Sequence, residues 1–212
     1  MKIAKPRLPV KLEDSDSWAL VPEADVEKVS IDGGELDGRT LPALNIDEVR
    51  LARLNLSGST LERLLVRDSA MQACDLSGVR SPEASLQRVT IEAGRMTGWD
   101  VSRGQLHDIS FSGCKLNLAN FRYARLHNVE FVDCILSGAN FIQAMLHNVR
   151  FKQCQLDGTE FSHSMLKHAD FRGCDVTGLK GWQHMRGAVL DHDQLLAIAP
   201  QLAADLGIRV ED

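Results

Sequence analysis

The sequence predicts an all-β fold: a right-handed quadrilateral parallel β-helix closed by a short C-terminal α-helical cap. Three observations predict it. A bulky apolar residue recurs every five positions, a second pattern recurs every 20, and the tail changes to a helical apolar spacing.

The five-residue spacing runs from Ile31 to Val176 through thirty positions, of which only Ser81 is not apolar. In a chain that is 44% apolar, chance does not give this run. A helix needs apolar spacing near 3.6 and a flat strand needs 2. A period of five instead turns one large side chain inward per short segment and then rounds a corner. Two residues before each large position sits a small or β-branched one, as in Val129, Cys134, Ala139, Ala144 and Val149. A narrow tube holds such large and small pairs.

The period of 20 makes the tube four-sided. Cys74, Cys114, Cys134, Cys154 and Cys174 are separated by multiples of 20. Gly38, Gly58, Gly78, Gly98, Gly138, Gly158 and Gly178 follow the same period, interrupted by Leu118. Phe111, Phe131, Phe151 and Phe171 form one column, and Phe121, Phe141 and Phe161 form the opposite one. The predicted core ladder is these seven Phe together with Cys114, Cys134, Cys154 and Cys174. Residues 31–180 give about seven and a half coils and a rod about 36 Å long at the spacing of stacked strands. The Gly column marks one corner that needs positive φ, and Pro42 and Pro82 occupy a pre-turn slot on another. The N-terminal coils lack Phe and carry Ser81, so they are expected to be looser.

Both ends of such a rod expose strand edges and need covers. The expected organisation is a cap at residues 1–25 that includes Trp18, a solenoid at 26–180, and a helical cap or dimerisation segment at 181–212. In the last segment Asp191 or Asp193 suits a helix N-cap and Gly207 a C-cap. Leu195, Leu196, Ile198, Leu202 and Leu206 form an apolar stripe, and Ile208 begins a short extended stretch through Val210. Pro200 predicts a kink or two short helical turns.

The repeats resemble the pentapeptide repeat family, whose loose consensus is Ala-Asp/Asn-Leu/Phe-x-x. The clearest matches are Ala119-Asn120-Phe121, Ala139-Asn140-Phe141 and Ala169-Asp170-Phe171, and the resemblance covers roughly residues 26–180. The tail, with Asp193-Gln194-Leu195 and Leu206-Gly207-Ile208, resembles the endings of members that protect DNA gyrase from quinolones. That resemblance implies an end-to-end homodimer through the C-terminal segment, with Leu195, Leu196, Ile198, Leu202, Leu206 and Ile208 at the cap or dimer contact.

Little in the sequence suggests catalysis. No CxxC pair or phosphate-binding loop occurs, and five Cys at inward small positions read as packing atoms. His107, His127 and His147 form an outward column with Lys167, read as a solvated ladder that gains charge toward pH 6.5. No catalytic, cofactor or metal site is therefore assigned. The net charge of -5 is too mild to imply nucleic-acid binding. No apolar run approaches a membrane span, and the basic stretch 1–11 lacks the core of a secretory signal, so the expected compartment is the cytoplasm.

What remains is the outer surface. Leu118, Tyr123, Val132, Ile135, Ile142, Met145 and Met165 occupy outward slots in the C-terminal coils and form the candidate partner surface, unless the N-terminal segment folds back over them. From residue 26 to 180 the chain carries 19 acidic and 18 basic residues, so the rod lacks the dense charge of a DNA imitation. The His column shares its side with Arg67 and Arg125, whereas Asp37, Asp75, Asp157 and Asp175 recur on the Gly side. The sequence thus reads as a non-enzymatic protein-binding solenoid. The gyrase-interacting type follows from the resemblance, and a scaffold for another partner is the alternative.

Overall fold

The computed structural model describes residues 2–205 and 207–209. Its strands form one parallel sheet that winds into a solenoid, with ten rungs stacked along the main path from Glu13–Ser15 to Ala188–Val189. About nine coils result, which makes the rod about 43 Å long at 4.8 Å per rung. In the coil starting at residue 104, Gly104–Leu106 forms face 1, Ile109–Phe111 face 2, Cys114–Leu116 face 3 and Ala119–Phe121 face 4. Other coils follow at steps of 20: Leu106 pairs with Leu126 and Phe111 with Phe131, Lys115 with Ile135 and Asn120 with Asn140. The step shortens only at the ends, where Glu13 pairs with Val29 and Ala169 with Ala188.

All four corners adopt left-handed backbone, not the Gly corner alone. In the reference coil Asp108, Gly113, Leu118 and Tyr123 have φ of 55°, 62°, 57° and 60°. The same right-angle step recurs every five residues, whatever the side chain. A non-Gly residue there costs about 1–2 kcal/mol, which rung-to-rung bonds such as Leu118 N–H to the Ser137 carbonyl offset. The 3/4 and 4/1 corners are closed turns, with Ala119 N–H donating to Leu116 and Ala124 N–H to Phe121. The 1/2 corner lies inside the continuous strand Gln105–Ser112. Gly178 departs from its column and has no left-handed φ. There the ladder slips, and Gly158 N–H bonds the carbonyl of Gly178 itself.

The interior is filled. The seven Phe are fully buried and stack within their columns at 4.7 to 5.1 Å with rings nearly parallel. Between columns they meet edge to face, as Phe131 and Phe141 do at 6.4 Å. All five Cys are free and buried. Cys114, Cys134 and Cys154 direct Sγ toward the carbonyls of Ile91, Phe111 and Phe131, and burial pushes the Cys74 thiol up.

Ser81 has a large partner in the coil above. It is fully buried, and Trp99 Nε1 donates to its Oγ at 2.8 Å. Trp99 stands in a small slot of the repeat, so a large residue in the small position offsets a small one in the large position. The indole also meets Phe111 and Phe121 edge to face.

The two ends are closed differently. At the N-terminal end Leu20 enters the core, whereas Trp18 lies out in solvent under the Arg39 guanidinium. Before it, residues 2–12 run along the outside of the rod. At the C-terminal end one helix, His192–Asp205, crosses the last coil with Pro200 inside it. Pro200 is exposed, so the carbonyl its missing N–H leaves free can meet water, and the helix neither breaks nor splits. Asp191 and Gln194 cap its start reciprocally: Gln194 N–H donates to Asp191 Oδ1 and Asp191 N–H to Gln194 Oε1, each at 2.9 Å. Gln194 Nε2 also donates to the open carbonyls of Phe171 and Cys174 at 2.8 Å. Gly207, at φ 72°, ends the helix through Ile208 N–H to the Ala203 carbonyl. Ile208 and Arg209 form no strand, and Val210 lies outside the described residues. Among the described residues no helix is long and apolar enough to cross a membrane.

Candidate interaction face

Regular stacking makes every outward position part of a column, so the surface is a set of side-chain ladders. Face 1 and its corners carry the most distinctive set. Gln105, Arg125, Met145 and Met165 are in register along it, beside His107, His127, His147 and Lys167. With the corner column Arg103, Tyr123, Gln143 and His163 these make twelve outward positions without one Asp or Glu. Arg103, Arg125 and Lys167 give this surface three fixed positive charges, and Arg122 stands at its margin.

Tyr123 lies between two cations, with the guanidinium carbons of Arg103 and Arg122 each 5.6 Å from its ring centroid. Arg103, Gln105, Tyr123 and Arg125 line a depression of about 440 Å³ bounded by Glu83. Met145 and Met165 are exposed farther along. His107 and His127 stack at 4.6 Å, His127 meets His147 at 4.7 Å, and His107 Nδ1 lies 2.8 Å from Asp108 Oδ2. Partial desolvation, then Lys167, His127 and His168, hold the His147 imidazole below its ordinary range.

Of the apolar residues expected to form one partner surface, Tyr123, Ile142, Met145 and Met165 come together on face 1 and its 4/1 corner. Leu118 is exposed at the 3/4 corner, where its side chain leans over Gly138. Val132 lies at the 2/3 corner and Ile135 on face 3, each half-buried. The N-terminal segment runs past face 2, where its residues face Thr90, Ser110 and Glu130. Arg103, Arg122 and Arg125 complete the patch, and for Arg103 and Arg125 a sequence signal exists: acids are missing from residues 103, 105 and 107 and from their successors at steps of 20.

The terminal helix presents a second apolar surface. Ile198 is buried against the last coil and Leu202 partly so, whereas Leu195, Leu196 and Ile208 are exposed. Leu206 lies outside the described residues. Among the described residues no group of three or more His, Cys, Asp or Glu is placed to hold a metal ion.

Two family models match the chain, pentapeptide repeats in eight copies at residues 105–138 and a pentapeptide repeat region at 124–183. A search of curated proteins found no match. Among solved structures, a trypsin-treated form of QnrB1, a plasmid-mediated fluoroquinolone resistance protein, is 20% identical at a TM-score of 0.39, covering 96% of this chain and 99% of that one. HetL, involved in heterocyst differentiation regulation in the cyanobacterium Nostoc, is 17% identical at 0.33, covering 87% and 89%. A protein of the Arabidopsis thaliana thylakoid lumen is 24% identical at 0.33, covering 51% and 69%. The two family models together place pentapeptide repeats over residues 105–183, within a solenoid whose coils step by 20 residues.

Proposed function

We propose that this protein is a non-enzymatic binding rod that engages a protein partner through the C-terminal half of face 1. The observation that carries this reading is the acid-free surface on which Arg103, Arg122 and Arg125 surround Tyr123 and lead into exposed Met145 and Met165. Tyr and Arg are the residues that most often dominate interface energies, and a contiguous apolar stripe with a charged rim suits a protein contact. The stacked core beneath keeps the surface rigid, so little ordering cost accompanies binding.

The specific partner we propose is DNA gyrase, in the cytoplasm of a bacterium, with the rod acting as an end-to-end homodimer. What supports this is the resemblance of the C-terminal tail to gyrase-protecting members, together with exposed Leu195, Leu196 and Ile208 at that end. The protein is titrated into a gyrase supercoiling reaction with and without a quinolone. Inhibition or protection at micromolar protein is expected, and its loss in Arg103→Glu/Arg125→Glu with an unchanged far-ultraviolet spectrum places the contact on face 1. No effect at micromolar protein removes gyrase and leaves the general scaffold. Sedimentation of wild type against Leu195→Glu/Leu196→Glu tests the dimer.

A further inference from the structure

Residues 2–11 lie across the 1/2 corner and face 2 as a strap along the rod. The main-chain N–H of Arg7 donates to Asp68 Oδ1 at 3.0 Å, and that of Ala4 to Asp108 Oδ1 at 3.4 Å. Three residues of strap thus cover two coils. An extended chain advances about 3.3 Å per residue and each coil rises about 4.8 Å, so both distances are about 10 Å. A fully extended peptide therefore keeps pace with the carboxylate column, and Pro6 and Pro9 favour that conformation.

The two acceptors belong to the rod and are built in. With the strap in place Asp68 and Asp108 are buried, and each also has a partner on the rod. Arg88 grips Asp68 with two bonds of 2.5 and 2.6 Å, and Asn128 donates to Asp108. Glu92, Glu130 and Arg150 stand along the same trough, Arg150 paired with Glu130 at 3.3 Å, so acids still outnumber bases there. The strap brings Lys2, Lys5, Arg7 and Lys11 and no acid. It does not lie flush: a space of about 570 Å³ separates Ile3, Pro6 and Leu8 from Thr90, Ser110 and Glu130. Val10 is fully exposed.

We propose that this trough is a docking site for extended basic polypeptide segments of a partner, and that the chain's own residues 2–11 occupy it in cis and limit access. Both donors are main-chain N–H groups meeting side-chain carboxylates, so any extended segment of matching charge can supply them. A short tether holds the resident strap at an effective concentration of order millimolar, so a free segment of equal affinity competes poorly until the strap is released. This surface adjoins the C-terminal half of face 1 at Asp108, beside His107, but does not include Tyr123, Met145 or Met165, and the proposal stands without the gyrase reading.

The test uses the full chain with a specific protease site placed at Val10 and a fluorescent synthetic peptide of residues 2–10. Anisotropy is read before and after cleavage, with far-ultraviolet spectra confirming an intact rod. The expected result is saturable binding that tightens at least about 50-fold on cleavage. Methylation of the peptide nitrogens of Ala4 and Arg7 weakens it about tenfold or more, and a peptide with its three basic residues changed to Glu does not bind. Absence of binding to the cut protein at about 100 µM, or equal binding of the methylated or acidic peptide, overturns the proposal. In the uncut chain, amides of Ala4 and Arg7 should exchange more slowly than in a free peptide yet faster than those of face 2. Free-peptide rates there would also refute it.

Discussion

Changing Ser81 and Trp99 separately and together tests whether two stacked coils exchange volume between their face 4 slots. Trp99 fills a position that elsewhere on its column holds Val79, Ala119 or Ala139, and Gly94 and Gly104 occupy the small slots just before and after it along the chain. All are buried. Trp99→Ala empties the space of an indole and should cost about 3–5 kcal/mol. Ser81→Leu restores the repeat's large residue but meets the indole. Overpacking costs about 1–3 kcal/mol, and the orphaned Nε1 donor adds about 1–3 kcal/mol. The double change converts both coils to the ordinary pattern. Its loss should fall short of the sum of the single losses by at least about 2 kcal/mol, in the upper range of coupling between contacting residues. Urea denaturation followed by far-ultraviolet circular dichroism measures all four proteins without relying on tryptophan emission. Strict additivity would show that Ser81 and Trp99 do not share one space and would refute the exchange.

Three further outcomes follow from the same packing. Phe141→Ala removes a ring sandwiched between Phe121 and Phe161 and should lower stability by about 3–5 kcal/mol; a loss under about 1 kcal/mol in urea melts contradicts its fully buried position. Gln194→Ala strands the carbonyls of Phe171 and Cys174 and should cost about 1–3 kcal/mol, with amide exchange accelerating first in the last coil; uniform acceleration argues against a local cap. The pH profile should fall in two windows. The depressed His147 makes the unfolded chain take up its proton first, so stability declines as pH drops through about 6.5, and His147→Asn should lessen that decline. Asp68 held down by Arg88, Asp170 by Arg172 and Asp175 by Thr177 stabilise above about pH 3.9 and lose that contribution as pH falls through their lowered values. A urea midpoint constant from pH 7.5 to 5 would refute the first window, and one constant from pH 4.5 to 2 the second.

The architecture was legible because five-residue and 20-residue periods each carry a distinct physical demand. The first sets which side chain turns inward and the second sets which ones stack, so Phe111 above Phe131 needs no tertiary knowledge. What the columns did not disclose was backbone conformation. Glycine marked one corner, yet Asp108, Leu118 and Tyr123 hold the same left-handed φ because stacked hydrogen bonds impose it. Trp99 was visible as an exception to the small-slot pattern, with Gly94 and Gly104 as its companions, but only a view of the volume inside the two coils connects it to Ser81. The strap was less accessible still. Its ten residues have no repeat, and their partners Asp68 and Asp108 look like any other corner residues until burial singles them out. For the surface, sorting outward residues by their remainder after division by 20 separates Leu118, Val132 and Ile135 from Tyr123, Met145 and Met165.

Near-neutral totals conceal the electrostatics of such a rod. The core uses only inward columns, so each outward column can acquire its own charge without disturbing packing. Along face 1, Asp25, Glu27 and Asp47 stand at the N-terminal end, whereas the twelve outward positions named between Arg103 and Lys167 carry no acid. Seven coil steps separate residue 25 from residue 165, about 34 Å at the rung spacing. The screening length at physiological ionic strength is about 8 Å, so the two ends present independent fields. A partner therefore meets a rigid surface with a direction written along it. Charges at the margin of an interface act mainly on encounter rate. Neutralising Arg103 and Arg125 should thus slow association more than it speeds dissociation, whereas trimming Met145 and Met165 should act on dissociation.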